Sequence, residues 1–231
     1  MEVKCQQKVV GLFGGTSWPS TILYYEKLNK LVNQKLKGFH SARILLYNID
    51  YHEIKSSYGN NWGNIGKLLG EEIQFLLAKK PDCLVICNNT LHKVFDELNL
   101  NLEIPVFHAG ILSANYAIKN GYKTVLLLGT KFTMEDGFFA KYFANLGVIA
   151  IVPNKSDIFL IQEMQTQISS GVKNDVFFKT FGQIIGKYQN ICDAICLACT
   201  ELPLYVNSQN CNLPIINPID LQCVEAVNFT T

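Results

Sequence analysis

The same succession of features occurs twice in this chain, about 110 residues apart: an apolar strand, a junction rich in glycine and hydroxyl residues, a helix, and later a second apolar strand that ends at the amide or cysteine of another junction. In the first half, residues 8–13 read as a buried strand, Gly14, Gly15, Thr16 and Ser17 as the junction, and 19–37 as a helix that Ser17 can cap and Pro19 can start. Strand 83–87 then runs into Asn88, Asn89 and Thr90 before a helix near Leu91. In the second half, 124–128 is the strand, 129–133 carries Thr130 and Thr133, and the apolar run from Ala194 ends at Cys199 and Thr200. Further strands are expected at 42–49, 104–108, 147–152 and 213–218, and helices at 65–79, 157–169 and 175–188. Such a repeat implies an α/β fold of two pseudo-symmetric lobes, each a small mostly parallel sheet flanked by helices. The lobes are expected at 1–110 and 111–213, with 214–231 packing back onto the first.

Open parallel sheets bind ligands beyond the carboxyl ends of their strands. The four junctions are therefore expected to face one another across a cleft between the lobes. They would gather Thr16, Ser17, Asn88, Asn89, Thr90, Thr130, Thr133, Cys199 and Thr200, a set rich in neutral donors and poor in Lys, Arg and His. That chemistry suits a small carboxylate. No lysine of a phosphate loop follows the glycines, and G-x-G-x-x-G, H-E-x-x-H and G-x-S-x-G do not occur. Cys199 is the one group expected to move a proton near neutral pH: Thr200, Glu201 and Pro203 read as a helix start, whose dipole and N–H groups would favour a thiolate. The alternative is a small core hydrophobe.

Twenty basic and nineteen acidic residues leave a net charge of +1 without a basic cluster, which argues against nucleic acid or an anionic membrane as partner. Without an apolar leader or an 18-residue apolar window, a cytoplasmic protein is expected. The eight cysteines lie mostly in apolar runs and read as free thiols. Cys192, Cys196 and Cys199 have the C-x3-C-x2-C spacing of an iron–sulfur site. In a strand, however, Cys196 and Cys199 point to opposite faces, so no metal is expected. The polar stretch 50–63, with Tyr58 and Trp62, is long enough to be a lid.

Gly14-Gly15-Thr16-Ser17-Trp18, Asn89-Thr90-Leu91-His92, the run from Leu127 to Met134, and Ala198-Cys199-Thr200-Glu201 together resemble the aspartate/glutamate racemase family over nearly the whole chain. The resemblance implies cofactor-independent α-proton transfer between thiols on opposite faces of an acidic amino acid, with no pyridoxal phosphate, no metal, and often a homodimer. It assigns the second-lobe base to Cys199 and ligand contacts to Thr16, Ser17, Asn89, Thr90, Thr130, Thr133 and Thr200. The family's first cysteine stands directly before Asn-Thr, where this chain has Asn88. Cys87, one residue earlier, turns to the opposite face of a strand. Near the C-terminus the family's Asp and His are matched by Asn217 and Gln222, and His92 reads as either structural or catalytic. Two other activities fit a single cysteine: decarboxylation or isomerisation of a small diacid, and carboxylate binding without catalysis.

Overall fold

The computed structural model describes residues 7–58 and 62–231. In chain order its elements are β1 (Val10–Gly14), α1 (Trp18–Leu36), β2 (Ile44–Asn48), α2 (His52–Ser56), α3 (Trp62–Leu77), β3 (Cys83–Ile86), α4 (Leu91–Glu97), α5 (Ala109–Lys119), β4 (Thr124–Gly129), α6 (Lys131–Glu135), α7 (Phe138–Ala144), β5 (Ile149–Ile151), α8 (Lys155–Ser169), α9 (Asp175–Gly186), β6 (Ala194–Ala198), β7 (Ile215–Ile216) and α10 (Pro218–Thr230). They form two compact units, one of 1–108 with 219–231 and the other of 109–218.

The first unit has a parallel sheet in the order β2-β1-β3. Its strands are apolar on both faces because helices cover both. Val10, Leu12, Cys83, Val85 and Cys87 pack with Tyr24 and Leu28 of α1 and with Cys223 and Ala226 of α10. Phe13, Leu84 and Ile86 pack on the other face with Ile65, Leu69 and Ile73 of α3 and Val94 of α4. Burying each such aliphatic side chain is worth about 1.5–3 kcal/mol, so this alternation fixes the register. The expected strand at 104–108 is reduced to one parallel bridge between Leu84 and Val106. Pro105 lacks an N–H for a longer ladder, although its carbonyl accepts from Leu84 N at 2.9 Å.

In the second unit the sheet order is β5-β4-β6-β7, all parallel. Its β7 repeats the Val106 bridge, with Ile195 N donating to Pro214 O at 2.9 Å. The chain segment expected to return whole to the first lobe is thus divided: Ile215 and Ile216 pair with β6, and the first unit begins again at Ile219. The second unit likewise takes α5 from its first residue, Ala109, and extends to Pro218. A further correspondence lies at the strand starts. Asp82, just before β3, accepts from Val9 N at 2.6 Å. Asp193, just before β6, accepts from Lys123 N and Thr124 N, both at 2.8 Å.

The stretch 50–63 is partly helical, containing α2 and the start of α3; Gly59, Asn60 and Asn61 lie outside the described residues. Tyr58 is stacked on Trp62 with ring centroids 5.2 Å apart, and both pack against the α3 side of the core. Cys5 also lies outside the described residues; the other seven cysteines are buried and form no disulfide among the described residues. No helix among the described residues is long and apolar enough to cross a membrane.

Candidate active site

Each unit carries candidate site residues where its two central strands end. In the first, Gly15 adopts φ +95°, and a Cβ there would lie 2.3 Å from Ile49 O, so only glycine makes this turn. The turn sends Thr16 beside β3, where its Oγ1 donates to Cys87 O at 3.2 Å. Ser17 stands at the N-cap of α1, yet its hydroxyl makes no cap bond, contrary to the expected capping role. Thr21 Oγ1 reaches back to the turn before the helix, accepting from Gly15 N at 3.0 Å. Ser17 Oγ and both polar atoms of the Asn89 amide are buried and have no hydrogen-bond partner among the described residues. Their residues are 6% and 3% exposed. A buried polar group without a partner costs about 1–3 kcal/mol, which a polar ligand can recover.

Asn88 holds a different position. Its Oδ1 accepts from Leu91 N at 2.7 Å, satisfying one open donor of α4 and leaving its Nδ2 as the group to offer. Cys87 belongs to the core between the sheet, α1 and α10. Burial, and then neighbouring Cys223, push its thiol well above the ordinary value. Thr90 and His92 are buried at the start of α4. The His92 ring lies 4.0 Å from that of His108, which contacts Asp96 Oδ1 at 3.3 Å. Burial, and then His108, hold His92 well below its ordinary value and therefore neutral. Gln222 is also satisfied within the fold: it accepts from Tyr24 OH at 2.7 Å and donates to Phe107 O at 2.7 Å.

In the second unit β4 and β6 align Gly129 with Ala198, just as Cys87 N donates to Phe13 O beside Gly14. This register makes Cys199 the counterpart of Asn88, not of Cys87. Thr130 caps α6 by accepting from Thr133 N at 3.1 Å, and the two hydroxyls lie 2.9 Å apart. Cys199 departs from the expected setting, because no α-helix follows it. Only a single 3-10 turn, Leu202–Leu204, stands where the helix was expected. Instead the Cys199 thiol donates to Glu201 Oε2 at 2.8 Å, and Thr200 Oγ1 donates to the same oxygen at 3.3 Å. Glu201 was absent from the expected site. Its spacing of two from the cysteine is the signal that could have found it, although the same residues also suit a helix start.

Cys196 is hydrogen-bonded to Ser113 of α5, whereas Cys192 and Cys199 lie in the core formed with α8 and α9. The three thiols thus divide between two faces of β6. Among the described residues, no group of three or more His, Cys, Asp or Glu is placed to hold a metal.

Comparison with known proteins decides the family. The sequence pattern of the Asp/Glu/Hydantoin racemases matches residues 13–226. The chain belongs to this family. A glutamate racemase from Streptococcus agalactiae is 30% identical over 135 residues, covering 57% of this chain and 50% of that protein. The chain therefore spans about half the length of the curated relatives it matches. Among solved structures, an Asp/Glu racemase candidate from Yersinia pestis superposes with a TM-score of 0.85 at 30% identity, covering 96% of this chain and 99% of that one. An aspartate racemase homologue from Pyrococcus horikoshii OT3 shares the fold, with a TM-score of 0.82 at 24% identity and coverage of 96% and 99%.

Proposed function

We propose that this member of the racemase family acts on aspartate or glutamate by cysteine-mediated α-proton transfer, without pyridoxal phosphate. The observation that carries the reading is the set of buried, unpartnered polar atoms on Ser17 and Asn89 at the ends of β1 and β3. These atoms suit a small ligand that both donates and accepts hydrogen bonds, as an amino acid with two carboxylates does. Thr16, Thr90, Thr130, Thr133 and Thr200 would add neutral donors, and Asn88 its amide N–H.

In this reading the Cys199 thiolate takes the α-proton and becomes a thiol, while the electron pair stays on the substrate and spreads into its α-carboxylate. Donors fixed beforehand around that carboxylate stabilise the carbanion. Return of a proton from Cys199 restores the starting enantiomer, and return on the other face inverts it. The Asn88 amide is not an acid near neutral pH, so inversion draws that proton from water, and the hydroxide left is neutralised as the Cys199 thiol gives up its proton and returns to the thiolate. Chiral chromatography of L-aspartate, D-aspartate, L-glutamate and D-glutamate after incubation tests the reading. Interconversion of one pair supports it, and unchanged enantiomers in all four reactions would sink it.

A second reading is favoured by one specific contrast: a thiol that donates in one half-site and a non-titrating amide at the equivalent place in the other. A single protonating thiol suffices to decarboxylate or isomerise a small diacid. Release of CO2 from a malonate-type acid, or a cis/trans product, without α-exchange of an amino acid would identify that activity. Saturable binding without turnover of any of these acids would identify a binding protein.

A further inference from the structure

We propose that Glu201 is a positioning residue that holds Cys199 in its thiol form and sets how alkaline the medium must be before the thiolate appears. The proposal rests on the function of Cys199 given above, but its geometry stands alone. The carboxylate oxygen lies 2.8 Å from the sulfur, and the two residues are only 3% and 5% exposed. A hydrogen bond from the neutral thiol and a negative charge beside the nascent thiolate both oppose ionisation. The helix expected to follow, whose dipole would oppose this, is replaced by the 3-10 turn.

Other titratable groups around this core are engaged elsewhere. Burial pushes the Cys192 and Cys211 thiols up. The hydroxyls of Tyr188 and Tyr205 accept from Asn154 N and Asn174 N. Among charged groups, Lys131 pairs with Glu135 on α6, and Asp157 of α8 pairs with Lys187. Glu201 is a carboxylate in hydrogen-bonding contact with the sulfur.

The arrangement has a chemical consequence. A thiolate formed against a carboxylate is scarcer than a free one and a stronger base, which helps remove a weakly acidic α-proton. Between turnovers the sulfur rests as a thiol, the form that returns a proton to a carbanion. The half-site is therefore tuned for a base that is made rarely and used efficiently.

The test compares intact protein with Glu201→Gln and Glu201→Asp, following iodoacetamide alkylation of the Cys199 peptide by mass spectrometry from neutral to alkaline pH. Glu201→Gln removes the charge with little change of shape, and is expected to alkylate about tenfold faster at neutral pH, its midpoint moving down by about one pH unit. Glu201→Asp keeps the charge and is expected to stay near the wild type. The acid limb of the α-proton exchange profile should move down together with the alkylation midpoint. An unchanged or raised midpoint in Glu201→Gln, with its thermal melt intact, overturns the proposal. If that variant melts early, the Glu201→Asp comparison decides: a midpoint displaced as far as in unfolded protein overturns the proposal, and one near the wild type supports it. If the wild type exchanges no acidic amino acid, the functional reading fails while alkylation still judges Glu201.

Discussion

The ends of β3 and β6 occupy the same place in their units and have become different chemically. Each strand starts after an aspartate that anchors the neighbouring strand, and each gains a second neighbour through a proline carbonyl. At the next position β3 runs into Asn88, whose oxygen is committed to Leu91 N, and β6 runs into Cys199, whose thiol is committed to Glu201. The repeat thus conserves backbone geometry while the side chains diverge. One strand ends in an amide and the other in a thiol. A duplicated fold need not carry duplicated chemistry.

The largest expected effect comes from removing the titrating partner. Cys199→Ser should lower α-proton exchange by about 10²–10⁴-fold, the usual worth of a general acid or base, in a kinetic assay on the best substrate. Restoring symmetry is the next test. Asn88→Cys places a thiol at the position equivalent to Cys199 and should change the ratio of turnover for the two enantiomers by about tenfold or more. It also removes the bond to Leu91 N, at a cost of about 1 kcal/mol measured by denaturant unfolding. An unchanged ratio in a folded variant would show that register alone does not make the two positions equivalent.

Cys87→Ser separates neighbourhood from function. Cys87 points into the core between α1 and α10, so turnover should stay within about threefold. Placing a hydroxyl there should cost about 1–3 kcal/mol of stability by urea unfolding. A dead but stable variant would contradict the assignment of faces.

The smallest effect compares the two strand-start aspartates. Two backbone N–H bonds, first to Thr124 and then to Lys123, hold the Asp193 carboxyl below its usual value. A depressed folded value stabilises the fold above the unfolded carboxylate range, near pH 4, and that contribution is lost as pH falls through the folded value. Melting temperatures of Asp193→Asn should therefore lie below those of the wild type at neutral pH and converge with them in acid. Asp82→Asn, which neutralises a carboxylate that accepts from a single backbone N–H, should shift melting less at neutral pH.

Much of this contrast was legible before any coordinates. The two-residue period of a strand separates Cys87 from Asn88, and the parallel register places each where that period implies. The repeated glycine–hydroxyl junctions were legible because few residues permit such turns: Gly15 is forced by Ile49, and a Cβ on Gly129 would lie 2.9 Å from Thr133. The setting of Cys199 was not legible. Thr200, Glu201 and Pro203 are as compatible with a 3-10 turn as with an α-helix, and only the turn folds Glu201 back to the sulfur. Equally hidden was the pairing of Ile215 and Ile216 with β6 before the chain returns to the first unit at Ile219. Local patterns specify elements more securely than they specify which sheet an element will cover.

The most direct measurement is α-proton exchange in D2O by NMR, with L- and D-aspartate and L- and D-glutamate offered separately to the wild type and to Cys199→Ser. The account predicts loss of the α-proton signal for at least one substrate, at unequal rates for its two enantiomers, and no loss with Cys199→Ser. Exchange that persists in Cys199→Ser, or no exchange with any of the four, would contradict it.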